Sequence, residues 1–280
     1  LDMAIYIFIL ICWLTHQVTS QLVLDMANNA FDDQYEGCIE AMEKKAPQLL
    51  KEELSVNEIF KNEWENAEKK WKQIKSNIKY PENFNDFHGT AIVAYTGEIA
   101  KDFNLAVREF KLKLNRTKFQ YKAFHYYLTR ALKLLRTSQC NQVFRGSQTK
   151  FYYSGAGSVR FGQFTSSSLN RNIAVSSKFL GAHGTLFVIR TCLGVNITAF
   201  SLNPQEEEVL IPGYEVFQKV TVKQTGKNQN EISLEAPQKR KSNFNCLYAH
   251  STPIHSKLNI NFKSSGESGS ALEVRFVGSS

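Results

Sequence analysis

Cysteine and histidine are scarce in this chain of 280 residues, five and six in number, and neither type is clustered. No CxxC pair occurs, and His16, His88, His125, His183, His250 and His255 are scattered without metal-ligand spacing, so no metal is expected. Low-complexity tracts and internal repeats are absent, which excludes solenoids and fibrous chains. The apolar run from Ile5 to Leu14 is too short to span a bilayer as a helix, for which about 20 residues are needed. Basic residues outnumber acidic ones only moderately, giving a formal charge of +8. The densest basic run, Lys239-Arg240-Lys241, lies between Pro237 and Ser242 and reads as a solvated turn. No aromatic residues interleave with it to stack bases, so no nucleic-acid partner is expected.

What is present at the N-terminus reads as a secretion signal over residues 1–20. The apolar run is followed by Val18-Thr19-Ser20, small residues suited to cleavage before Gln21, although no Lys or Arg precedes the run. Removal of Cys12 with the signal leaves Cys38, Cys140, Cys192 and Cys246. An even set in a secreted chain implies bridges, with three pairings open. Asn115-Arg116-Thr117 and Asn196-Ile197-Thr198 become glycosylation sequons in that compartment, at Asn115 and Asn196.

The texture of the chain then changes once. Residues 39–76 follow a helical pattern, with breaks expected at Pro47 and near Ser55, and Pro81 to Gly89 is turn-rich. Helical periodicity returns from Glu98 to Arg136, where Phe103, Phe110, Tyr126, Leu128, Leu132 and Leu135 are spaced to give apolar faces. After Cys140 come short β-branched or aromatic runs bounded by Gly, Asn and Pro. They are Val143-Phe144, Ser158 to Ser168, Thr185 to Arg190, Val209 to Tyr214, Glu215 to Lys223, Glu231 to Leu234 and Asn245 to His250. A helical front (about 21–137) and a strand-rich back (about 138–263) without a linker between them indicate one α+β unit over residues 21–263. Residues 264–280 are Ser/Gly-rich and expected to be a flexible tail.

Three segments carry the chemistry. In Glu206-Glu207-Glu208-Val209-Leu210-Ile211-Pro212, three acids abut an apolar run, and period-two geometry would put Glu206 and Glu208 on one side of an extended segment. Two close carboxylates suit a reaction in which positive charge develops at a sugar carbon. An isolated acidic triplet is more often a charged loop tip capping a strand. Upstream, however, Phe144-Arg145-Gly146 and Phe164-Thr165-Ser166-Ser167-Ser168 each sit at the edge of a strand-like stretch. Phe200, in the loop before the glutamates, offers an aromatic face for a cationic group.

Together these segments resemble the arginine-serine-glutamate class of mono-ADP-ribosyltransferases, in particular the vertebrate ecto-enzymes. The flanking text agrees: Val159-Arg160-Phe161-Gly162-Gln163-Phe164 before the serines, and Phe124-His125-Tyr126-Tyr127-Leu128-Thr129-Arg130-Ala131-Leu132 before the arginine. The likeness runs from about Asp25 to Lys263. It implies an α+β fold in which a helical subregion precedes an antiparallel β-sheet sandwich core, with NAD as co-substrate and no metal. It implies that Arg145 holds the NAD phosphates and that Gly146 lets backbone approach the nicotinamide amide. Ser166 would orient the catalytic glutamate and the nicotinamide ribose, and Phe179 would stack on nicotinamide. Glu208 becomes the catalytic residue, and Glu206 positions an arginine acceptor on a partner protein and takes its proton. Arg160 is given no phosphate contact. The pairings implied are Cys38–Cys246 and Cys140–Cys192. Two other functions remain open at this point: an NAD glycohydrolase on the same fold, and a secreted basic binding protein without turnover. Members of the family are secreted or held at the extracellular face of the membrane, many by a lipid anchor directed by a hydrophobic tail. This chain ends Val274-Arg275-Phe276-Val277-Gly278-Ser279-Ser280 without such a tail, so two expectations stay open: a freely secreted protein, or a longer sequence whose lipid anchor, not encoded in residues 1–280, would bring it to a membrane surface. The sequence specifies no oligomeric state.

Overall fold

The computed structural model describes residues 22–112, 119–226, 228–239 and 242–249. The signal segment, the Asn115 sequon and the tail fall outside them. The front half is helical: α1 (Ile39–Val56), α2 (Glu58–Ile74), α3 (Asp86–Tyr95), α4 (Ile99–Arg108) and α5 (Lys122–Leu135). Pro47 lies within α1 without ending it. An interior proline costs a helix about 3 kcal/mol. Against that stands the buried stripe of Met42, Ala46, Leu49, Leu50 and Glu53, spaced to face the neighbouring helices. The chain does break after Val56, where Asn57 accepts a hydrogen bond from the Phe60 amide at 3.0 Å and caps α2.

The turn expected over Pro81 to Gly89 stops short of that glycine. Asn85 caps α3 by accepting from the His88 amide, while His88 Nδ1 accepts from the Asn85 amide, so Asp86 to Gly89 are helical. Gly89 is required by packing: a Cβ there would lie 2.2 Å from the Trp71 ring. Among the described residues no helix is long and apolar enough to cross a membrane.

The back half forms a seven-stranded sheet in the order β6-β7-β4-β2-β5-β9-β8. Its strands are β2 (Asn141–Ser147), β4 (Thr165–Ser168), β5 (Thr185–Thr191), β6 (Val195–Asn196), β7 (Glu208–Ile211), β8 (Glu215–Gln224) and β9 (Asn230–Lys239). Every neighbouring pair is antiparallel except β5 and β9, so the α+β class stands but the sheet is mixed. A separate parallel pair joins β1 (Leu22–Val23) to β3 (Phe151–Tyr152). Val143, Phe187, Ile189, Val209, Ile211, Phe217, Ile232 and Leu234 form the core on the sheet. An aromatic-rich core built on Phe31, Trp64, Trp71, Phe103, Phe124 and Phe164 fills the helical half.

Two expected strands are not continuous. In the run from Ser158 to Ser168, Val159 makes only an isolated bridge to Phe217, and Gly162, at φ 74°, turns the chain before β4 begins. Residues 245–249 are turns. Their amides are taken by side chains: Asp33 accepts from Cys246 and Leu247, at 2.9 Å each. The neighbouring buried Asp32 accepts from the Asn243 and Phe244 amides at 2.9 and 3.0 Å. A backbone whose donors are satisfied this way has no ladder to join.

Both disulfides pair as the resemblance implied, Cys38 with Cys246 and Cys140 with Cys192. The first bridges residues 208 apart and ties the entry of α1 to the segment after β9. In the chain-entropy model, a loop of that length is worth about 5 kcal/mol.

Candidate active site

The centre of the sheet brings the residues singled out in the sequence into one cleft. Its lining includes Arg145, Gly146, Ser166, Phe179, Glu206 and Glu208. Arg145 stands on β2, paired with Phe187 of β5. Its Nη1 donates to the Ser166 carbonyl at 2.7 Å, which fixes one arm of the guanidinium while the group still lines the cleft. Burial lowers its pKa from the ordinary arginine value, and Tyr95 and Glu208 oppose that shift. A guanidinium stays charged throughout the working range.

Ser166, Ser167 and Ser168 form β4 with Thr165 and pair with Leu210, Val209 and Glu208 of β7. The Ser167 hydroxyl donates to the Val209 carbonyl at 2.8 Å, so this serine is structural. Glu208 is buried at the first position of β7. Burial raises its carboxyl pKa above the usual carboxylate range; a hydrogen bond with the Ser166 side chain pulls it down, Glu206 pushes it up and Arg145 lowers it.

Glu206 reaches the same cleft by a different path from the extended segment expected. Pro204–Glu206 is a 3₁₀ turn, and Glu207 follows in the left-handed region at φ 48° and ψ 50°. The sharp reversal, not strand alternation, brings Glu206 and Glu208 to one cleft. A non-glycine residue held there is strained by about 1–2 kcal/mol. Glu207 lies outside the cleft lining, is exposed, and accepts from Asn170 Nδ2 at 3.3 Å.

One wall of the cleft is the short helix α6 (Arg171–Val175), which packs against β2 and β4, and the segment after it. Gly146 is what lets that wall approach: a Cβ at this position would lie 2.1 Å from the Ala174 carbonyl oxygen and 3.0 Å from the Phe179 backbone. The glycine is therefore needed for packing as well as for any approach of ligand. Next to Phe179, Lys178 extends its ammonium to 2.6 Å from Glu206 Oε1 and 4.8 Å from the Phe179 ring centroid.

Several residues have roles the sequence did not disclose. Tyr95, at the end of α3, is buried beneath the site; its hydroxyl donates to the Phe164 carbonyl at 3.0 Å and accepts from Asn104 Nδ2 at 2.9 Å. Burial pushes its pKa up to about 12, and hydrogen bonding with Asn104 and Ser166 works against that rise. Phe200 is not an acceptor platform. It is buried and stacks on Trp71 at 5.7 Å with the rings 9° from parallel, because the 3₁₀ turn Thr198–Phe200 directs it into the helical core. Arg160 is also structural. It is buried, with Nη1 2.6 Å from Asp32 Oδ2 and Nε donating to the Met26 carbonyl at 2.6 Å. Asn196 is exposed at the end of β6. Among the described residues, no group of three or more His, Cys, Asp or Glu could hold a metal.

A buried glutamate, a second one beside it and an arginine anchored on the same sheet thus line one cleft. Comparison with known proteins gives the class. The model of the family "NAD:arginine ADP-ribosyltransferase" matches residues 24–242. T-cell ecto-ADP-ribosyltransferase 2 of Mus musculus is 57% identical over 276 residues, 98% of this chain and 93% of that protein. Human ecto-ADP-ribosyltransferase 5 is 40% identical over 245 residues, 83% of this chain and 82% of that protein. The crystal structure of a mutant of the mono-ADP-ribosyltransferase ART2.2 in complex with NADH superposes with a TM-score of 0.76 at 61% identity, covering 81% of this chain and 99% of that one. This chain belongs to the NAD:arginine ADP-ribosyltransferase family. It moves ADP-ribose from NAD to arginine side chains and releases nicotinamide.

Proposed function

We propose that Glu208 is the catalytic carboxylate and Glu206 the acceptor-side carboxylate. The observation that carries this division is their difference in setting: Glu208 buried in the strand against Ser166, and Glu206 partly open at the turn. Cleavage of the nicotinamide–ribose bond leaves positive charge on the ribose. A fixed carboxylate beside the 2′-hydroxyl stabilises that charge as it forms. Nicotinamide is cationic in NAD and leaves neutral, taking the bonding pair, so no general acid is needed. Ser166 orients the Glu208 carboxylate, and Arg145 binds the pyrophosphate with the donors its Ser166 contact does not use. Phe179 packs against the nicotinamide ring, and Gly146 brings backbone to its amide.

Glu206 then receives the acceptor guanidinium. An arginine nitrogen becomes nucleophilic only as a neighbouring base takes its proton, and the partly exposed Glu206 is the group available for that. Acceptors are proteins with an exposed arginine. The family match over residues 24–242 supports reading residues 21–263 as the catalytic unit. Ecto-enzyme relatives, two disulfides and the exposed Asn196 sequon support an extracellular or cell-surface setting, with glycans at Asn115 and Asn196. Incubation with labelled NAD and agmatine tests the reading. Ribosylated agmatine is expected as the main product; free ADP-ribose alone would make the protein a glycohydrolase, and no turnover a binding protein.

A further inference from the structure

Lys178 sits against both groups to which the proposed function assigns a cationic ligand. Its ammonium is 2.6 Å from Glu206 Oε1, where the acceptor guanidinium would bind, and 4.8 Å from the Phe179 ring, against which the cationic nicotinamide would pack. The backbone that delivers it is fixed: the Lys178 carbonyl accepts from Gln148 Nε2 at 3.1 Å, and the Phe179 and Leu180 amides both donate to the Ser176 carbonyl at 3.0 Å. The side chain is mostly exposed, 67% of its surface against 23% for Glu206, so the ion pair is open to solvent. A side chain held at its root and ion-paired only at its exposed tip can exchange with another cation without moving the fold.

We infer that Lys178 is a built-in competitor for the arginine acceptor and sets the affinity with which that acceptor is taken. The inference rests on the assignment of Glu206 to the acceptor. An ammonium is a compact point charge that meets one carboxylate oxygen, whereas a guanidinium can engage both in a planar fork. An arginine therefore displaces Lys178 where a lysine-bearing protein would merely exchange like for like. The resident cation thus raises the threshold for every acceptor by the same factor, and any preference for arginine comes from the fork alone. Exposed ion pairs are weak, so the competition is modest: removing it should strengthen acceptor binding about two- to fivefold.

The test is steady-state transfer from saturating NAD to agmatine by the full chain, comparing wild type with Lys178→Met and Lys178→Arg. Lys178→Met is expected to lower the agmatine KM about two- to fivefold while kcat changes less. Lys178→Arg restores a cation and should return KM to the wild-type value or above it. An agmatine KM that is unchanged or raised in Lys178→Met would overturn the inference, a raised value meaning that Lys178 assists the acceptor. Absence of transfer by wild type would overturn the assignment of Glu206 as well. Transfer with a KM indifferent to Lys178 overturns only the inference.

Discussion

At the residue scale, the site depends on groups that differ less in identity than in surroundings. Arg145 and Arg160 are fifteen positions apart in sequence and both touch backbone carbonyls. One lines the cleft while the other is locked to Asp32 in the core. The sequence motif singled out Arg145, which lines the cleft, but it gave no sign that Arg160 is a structural ion pair, since Asp32 is distant in the chain. Glu206 and Glu208 were legible as a pair, though the geometry expected was wrong: a left-handed residue, not strand period, joins them. Lys178 carried no signal, because a single lysine between Ser177 and Phe179 gains meaning only when Glu206 folds beside it. Arg145→Lys keeps the charge and loses the fork. NAD affinity should fall by about tenfold or more, as expected for a charge-assisted hydrogen bond worth about 1.5–3 kcal/mol. Isothermal titration checks this against Arg190→Lys, a substitution at an exposed position of β5. Equal NAD binding by the two variants would remove Arg145 from the phosphate site.

At the scale of elements, the strands that build the cleft were legible and two boundaries were not. β2, β4 and β7, whose residues line the cleft, each overlap a strand-like run legible in the sequence. The start of α3 was hidden because Asn85 and His88 cap it without the usual Ser or Thr and Glu, and because Gly89 reads as a turn signal when seen without Trp71. The run from Asn245 to His250 looked like a strand because apolar residues dominate it, but aspartates elsewhere claim its amides. Gly146 joins two elements, β2 and α6. Substitution by alanine forces its Cβ against the Ala174 carbonyl, so one wall of the cleft must shift. Gly146→Ala is expected to lower kcat/KM for NAD by at least about tenfold, since misplacement of reacting groups by about 1 Å can cost about a hundredfold. It should also lower stability by about 1–3 kcal/mol through overpacking. Kinetics and urea unfolding on one preparation check both, and wild-type values in each would show that the contact is not limiting.

At the scale of the whole molecule, buried titratable groups set how stability responds to pH. His125 is buried, with its Nδ1 2.8 Å from the Tyr35 hydroxyl, and burial pushes its pKa down to about 3. Burial, followed by Arg130, pushes buried His88 down to about 4. Both folded values lie below the unfolded value of about 6.5. The stability gained by keeping these rings neutral is therefore present above about pH 6.5 and is lost as pH falls toward the folded values. Glu53 acts in the opposite sense. Burial raises it to about 7 even though Lys122 and the α5 amides favour its charged form. A raised carboxyl favours the folded state as pH falls from about 7 to the unfolded value. The raised carboxyls of Glu208 and Glu215 act in the same sense as Glu53, so the single-site prediction is the sharp one: Glu53→Gln should lose about 1 kcal/mol more stability than wild type as pH falls from 6 to 5. Urea unfolding of both proteins at each pH reads this; equal losses in wild type and Glu53→Gln would contradict it.

The division of labour between the two carboxylates is the centre of the account, and one experiment addresses it directly. Wild type, Glu206→Gln and Glu208→Gln are each given labelled NAD and agmatine, and ribosylated agmatine and free ADP-ribose are measured from the same reactions. Glu208→Gln should lose both products by about 10²–10³-fold, the size expected when a preorganised group facing developing charge is removed. Glu206→Gln should lose ribosylated agmatine while keeping much of the hydrolysis. Equal loss of both products in the two variants would contradict the assignment.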